Sequence, residues 1–139
     1  MNANALSTLI FIAGLLHLAI TSAGLTMTRV LDWRHALAPL KALTRHIIWT
    51  HAAFVWLNLV AFGVISIILP ARLTSGDPVS RAVCGFIAAF WGLRLLVGFL
   101  FFDARPHLTS GMLTIAYHAL TAVIAFFVFC YAAAALVGV

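Results

Sequence analysis

A few side chains able to do chemistry sit inside an otherwise apolar sequence: His17, His51, Asn58, Arg94, Tyr117 and His118, with Asp103 just past the run that holds Arg94. A charge at the centre of a bilayer costs at least ~2.5–3.5 kcal/mol on insertion scales, so Arg94 should face protein, a wet cavity or a ligand and mark a functional site. Neutral imidazoles on facing helices are the ligands a b-type haem needs, and bundle cores are a recurrent place for such sites. His17 and His118 are the candidate iron ligands, with Arg94 or Arg45 beside the propionates. No Cys-x-x-Cys-His is present, so the haem would be held without covalent attachment. The same groups suit a quinone-linked redox membrane protein. A metal-centred enzyme is disfavoured, because there is no Glu and all three Asp fall in loops, leaving no intramembrane carboxylate as ligand or general base.

The elements that must position these groups follow from composition. Of 139 residues, 65% are hydrophobic and 8% charged, and the mean hydropathy is +1.15. Soluble domains run roughly 45–50% apolar and about 25% charged, so the lipid bilayer is the expected solvent. Four apolar runs have spanning length, about 6–28, 46–69, 81–102 and 107–136, which predicts an all-α, integral membrane four-helix bundle forming one domain over 1–139. Residues Met1 to Ala5 lack the positive charge of a signal peptide, so the first run is read as a helix that stays. Between the first two spans, Val30, Trp33, Leu37 and Leu40 recur at helical spacing, predicting a short helix on the membrane surface that Pro39 breaks or that hands over to the next helix there. Trp33 and Trp49 suit the aromatic belt. Asp77 is the expected N-cap of the third span, with Pro78 as its first residue. Gly85, Ala88 and Gly92 predict close helix approach there. Asp103-Ala-Arg-Pro106 is short enough to make the third and fourth spans antiparallel neighbours, which would let Arg94 meet Asp103 or Tyr117. Cys84 and Cys130 match no metal or redox spacing and are expected as small buried hydrophobes, or else as a disulfide near one membrane face.

Charge sets the orientation. The formal charge of +5 comes from eight Lys and Arg against three Asp. The first and third loops hold Arg29, Arg34, Lys41, Arg45 and Arg105, and the second holds Arg72 and Arg81, so both termini are expected outside, most simply of a bacterial inner membrane. No basic run is interleaved with aromatics, which argues against nucleic acid as a partner. Counted from those loop charges, His17, Asn58 and His118 fall at one depth, about 18–20 Å in, with Arg94 and His51 shallower. A polar layer of Asn58, His51, Tyr117 and Asp103 is therefore expected beside His17, His118 and Arg94 in the bundle, with His51 and Asn58 on one inward face. Each member has a structural alternative, since histidine, asparagine and threonine also tie membrane helices together by hydrogen bonds of about 0.6–2 kcal/mol. Arg94 could equally pair with Asp103 or snorkel to lipid phosphate.

In the first helix, Leu16-His17-Leu18 and Gly24-Leu25, together with the small size and four spans, resemble the haem-binding protoporphyrinogen oxidase membrane proteins of bacteria. The likeness covers that helix alone, the arginine that follows is differently spaced, and no site residue is carried over. A different class is non-catalytic: a subunit or assembly factor docked on other membrane subunits through faces rich in Phe, Leu and Ile. A small transporter component comes third, because no span has the internal proline of a broken helix.

Overall fold

The computed structural model describes residues 2–101 and 111–136. It is all-α, with no strand among the described residues. Four long helices, α1 (Ala3–Val30), α3 (Ala42–Ile68), α5 (Pro78–Phe101) and α6 (Gly111–Ala135), carry between them the short α2 (Trp33–Leu37) and α4 (Pro70–Leu73). Each long helix is apolar enough and, at 24–27 residues, long enough to cross a membrane, because ~20 residues rising 1.5 Å each cover the hydrocarbon core.

The expected spans are all present, with shifted ends. α3 starts at Ala42 rather than His46, since charged residues in a terminal turn can snorkel and do not stop a helix. The expected surface helix shrinks to Trp33–Leu37, and Pro39 breaks it instead of opening the next helix. Asp32 ends α1 with a left-handed backbone (φ 44°), a conformation Asp tolerates better than most residues. Trp33 then packs edge-on to Trp49, tying α2 to α3. The turn at 103–106, the start of the fourth span at 107 and Asp103 itself lie outside the described residues.

α1 packs against α3 and α6, and α5 against α6. The ring is closed by Phe62 of α3, whose edge meets Phe86 and Phe90 of α5. Two buried hydrogen bonds cross the diagonals: Trp91 of α5 to His17 of α1, and Ser66 of α3 with Tyr131 of α6, 2.7 Å apart. Where α1 crosses α3 the backbones nearly touch. A Cβ on Gly14 would stand 2.9 Å from the Gly63 carbonyl oxygen. This crossing replaces the close approach expected on α5, where a Cβ on Gly92 would meet nothing within 4 Å and one on Gly85 only the Ala135 methyl at 3.9 Å.

Burial is confined to one end. On α1 the buried positions run from Leu6 to Thr21, on α3 from Leu59 to Ser66, on α5 from Ser80 to Trp91 and on α6 from Ile124 to Ala134. That half is closed below by α4, which seats Leu73 in the core, and by the 74–80 turn. Arg81 donates to the Ala135 carbonyl at 3.0 Å, placing its charge at the negative end of α6. Cys84 and Cys130 are free buried thiols, and Cys84 donates to the Leu73 carbonyl. In the opposite half, toward Val30, Ala42, Phe101 and Gly111, none of the described residues of the four helices is fully buried.

The Asp77 cap is formed as expected. Its carboxylate accepts from the Val79 and Ser80 amides at 3.0 Å each, from the Ser80 hydroxyl at 2.6 Å, and from Ser75. The Ser75 and Ser80 bonds to the ionised form hold the carboxyl well below its ordinary 3.8. A folded-state value below the unfolded one gives stability that is present above the unfolded value and lost as pH falls toward the folded one. The thermal midpoint of detergent-solubilised protein should therefore drop between about pH 5 and pH 3, and Asp77→Ala should lower the midpoint at pH 7 while flattening that acid limb. An unchanged acid limb in the variant would contradict the assignment.

Candidate functional site

The site is built around His17. Its position on α1 puts it on the stripe of Leu6, Ile10, Ala13 and Thr21, at the helical spacing that faces the core, and it is fully buried. The Trp91 indole donates its Nε1–H to His17 Nε2 at 2.8 Å. An indole N–H can only donate, so Nε2 is an acceptor and the proton sits on Nδ1. Nδ1–H accordingly donates to the Ala13 carbonyl at 2.7 Å. The imidazole is thus neutral, with both nitrogens satisfied. Phe127 stacks on it at 4.0 Å between centroids, and Phe62, Trp91 and Tyr131 present edges or tilted rings.

Just beyond this aromatic box, where the bundle opens, all four long helices line one cleft of about 160 Å³. Ile20 comes from α1, Val55 and Leu59 from α3, Trp91 and Arg94 from α5, and Ile124 from α6. Arg94 also borders a smaller cavity of about 50 Å³, together with Gly98, Tyr117 and Thr121. Arg94 and Trp91 are three apart on α5, so one helix sets a guanidinium and an indole on neighbouring walls. No ion pair involves Arg94 among the described residues. Its fixed charge and five donors suit a carbonyl, carboxylate or phosphate oxygen, while the remaining walls are apolar and suit a ring or chain.

The expected polar layer divides. His17 is buried against Trp91, one wall of the cleft; Arg94 borders the cleft but is exposed rather than enclosed by protein, and Tyr117 shares the smaller cavity with it, though no hydrogen bond joins them among the described residues. His51 and Asn58 do not look into the bundle together. Both are exposed and bond back to their own helix, His51 to the Ile47 carbonyl at 3.0 Å and Asn58 to the Phe54 carbonyl at 2.9 Å. The buried face of α3 runs through Leu59, Phe62 and Ser66, and Asn58 lies about 100° around from Leu59. His118 is likewise exposed, with its ring edge against Tyr117. The level of His17 is marked by Phe62, Trp91 and Phe127, so Asn58 and His118 are about 6 Å and about 13 Å away along their helices. Equal distance from the loop charges along the sequence therefore does not give these residues one depth.

As arranged, these residues do not fit a bis-histidine haem. His17 offers the right tautomer, because Nδ1–H on a backbone carbonyl is how ligating histidines are commonly oriented. Its Nε2 is nevertheless held by Trp91, and His118 lies on an exposed face far along α6. The described residues contain no group of three His, Cys, Asp or Glu placed to share a metal ion. Trp91 is the cleft side chain that the sequence pattern did not single out. A signal for Trp91 existed, since an indole N–H at mid-span must find an acceptor, and His17 is one of few there. No family model, no curated protein and no solved structure matches the chain.

Proposed function

We propose that this chain is a small membrane-embedded binding protein for a lipid-soluble quinone. The observation that carries the proposal is a cleft shared by all four spanning helices, apolar except for the Arg94 guanidinium at its wall. Arg94 donates to a quinone carbonyl, the ring lies against Trp91 and Leu59, and the tail leaves through the open half of the bundle. The volume of about 160 Å³ is below the roughly 300–1,000 Å³ of a pocket enclosing a whole drug-sized ligand, so it suits a single substituted ring better than a porphyrin. Any redox role then belongs to the bound ring, with the protein supplying position and electrostatics. Both termini face outside a bacterial inner membrane, a topology supported by the first-loop cations and by Arg81 being tied to the end of α6 rather than free in its loop.

A second reading, a subunit or assembly factor docked on a larger membrane complex, is favoured by the exposed His51 and Asn58 within an apolar span. A partner helix would shield these polar groups from lipid and supply bonds beyond those they make to their own backbone. A haem held by His17 alone would first require Trp91 to release Nε2.

Titrating the purified protein in micelles with a short-tailed ubiquinone, by calorimetry, distinguishes these. Saturable one-to-one binding is expected, and Arg94→Gln should weaken it by roughly ten- to a hundredfold, the worth of one charge-assisted hydrogen bond. Saturable binding that Arg94→Gln leaves unchanged would overturn the assignment of the site. A protein that binds no quinone but shows a reduced-minus-oxidised haem spectrum lost in His17→Ala would transfer the function to haem. A partner co-purifying in fixed proportion, with no quinone bound, would transfer it to the subunit reading.

A further inference from the structure

At the first-loop end the α1–α3 hairpin opens into two adjoining hollows of contrasting chemistry. One, of about 560 Å³, is bordered by Arg29, Asp32, Arg34 and Trp49. The other, of about 450 Å³, is mostly apolar, with Met27, Leu31, Ile48 and Val55 on its walls beside His51. They meet at Thr28 and Trp56, which border both. One carboxylate borders the same hollow: Asp32, which accepts from His35 Nδ1 at 2.6 Å and lies within ion-pair distance of neither arginine. Two guanidiniums against one carboxylate leave the hollow with a net positive charge.

We propose that this end binds one anionic phospholipid, with its phosphate between Arg29 and Arg34 and an acyl chain in the apolar hollow. Guanidinium matches phosphate oxygens two at a time, and the height is that of an interface, at the end of an apolar span with tryptophans alongside. The adjoining apolar hollow distinguishes a lipid from a free phosphate, which has nothing to place there. A net negative headgroup is favoured over a zwitterionic one, which would bring its own cation against two arginines. The phosphate end shares no wall with the Arg94 cleft, whereas the apolar hollow adjoins that cleft at Val55.

The test is native mass spectrometry of the full chain in micelles supplemented with phosphatidylglycerol or phosphatidylcholine. One phosphatidylglycerol should be retained at activation energies that strip phosphatidylcholine. The exposed pair Arg29→Gln/Arg34→Gln should lower that retention by roughly tenfold or more, whereas Arg72→Gln, at the opposite end, should leave it unchanged. Quinone binding should persist in the double variant, so failure here is distinguishable from failure of the proposed function. Equal retention of the two lipids, or equal loss in Arg72→Gln, would overturn the site. Protection of the adduct-free protein by inorganic phosphate alone, equal to that by the lipid, would overturn its assignment to a lipid.

Discussion

His17→Ala should destabilise the bundle by roughly 3–5 kcal/mol, a loss of the size seen when a large buried ring is truncated. The ring is fully buried and stacked on Phe127, so its removal leaves a cavity walled by Phe62, Trp91, Phe127 and Tyr131. The same change strips the Trp91 indole of its acceptor inside the packed core, a further penalty of about 1–3 kcal/mol for a buried donor left unpaired. Two milder variants separate these causes. His17→Phe keeps most of the volume and orphans only the indole N–H, whereas Trp91→Phe orphans only Nε2. A double-mutant cycle on His17→Phe and Trp91→Phe should yield a coupling of about 0.6–1.7 kcal/mol, the range of hydrogen bonds between membrane helices. Unfolding in mixed micelles gives the free energies, and the indole 15N–1H resonance of Trp91 gives an independent reading, shifting in His17→Phe while those of Trp33, Trp49 and Trp56 stay in place. Zero coupling with an unmoved Trp91 resonance would mean that the bond does not form.

That pair also shows how far the sequence carried and where it stopped. The four helices were legible because a run of twenty or so apolar residues has few alternatives in lipid, where every backbone group must be satisfied within the segment. Asp77 and Pro78 were legible because capping is local: the groups that satisfy the first amides of α5 sit within a few residues of them. His17 was legible as a singular residue, and the structure does place it at the heart of the core. Its partner was not, since choosing Trp91 over His118 depends on the rotation of α5 and the register of α6. Counting from Arg105 placed His118 level with His17, while the stacked ring is Phe127, nine residues on. A register error of that size moves every side chain of α6 to a different depth and face, and neither composition nor periodicity constrains it. His51 and Asn58 illustrate the related limit that a shared face need not be the inward one.

The one-ended core gives these placements a functional consequence. From Leu6 to Thr21 and from Ser80 to Trp91 the helices are locked by packing and by both diagonal hydrogen bonds. Beyond Trp91 and before Leu59 they have no fully buried partner among the described residues. Arg94 stands one turn past the last buried residue of α5, where the rigid half ends. A ligand there would be positioned by the fixed half and could enter through the other without unfolding it, because local stability follows local packing.

The rigid half rests on the Gly14–Gly63 crossing, and Gly14→Leu should disrupt the fold most sharply among single changes outside the site. Even the first atom of a side chain at Gly14 would lie 2.8 Å from Ile67 Cγ1, 2.9 Å from the Gly63 oxygen and 3.0 Å from the Ile67 nitrogen. The latter two are backbone atoms, which no rotamer change can move aside. At Gly63 the nearest atom is the flexible Leu18 Cδ2 at 2.9 Å, with the Gly14 oxygen at 3.1 Å and His17 Cβ at 3.2 Å. Gly14→Ala should therefore cost more than Gly63→Ala, with both in the range of about 1–3 kcal/mol for overpacking and Gly14→Leu above it. The damage should spread in a defined way. Pushing α1 outward carries His17, three residues on, away from Trp91, and pushing α3 outward carries Ser66 away from Tyr131. The Trp91 indole resonance should move in Gly14→Ala as it does in His17→Phe. Gly92→Ala is the matched control: a Cβ there meets nothing within 4 Å, so the change should be neutral or stabilising by about 0.5–1 kcal/mol through helix propensity alone. A Gly92 variant more damaging than the Gly14 variant would relocate the closest helix contact from α1–α3 to α5.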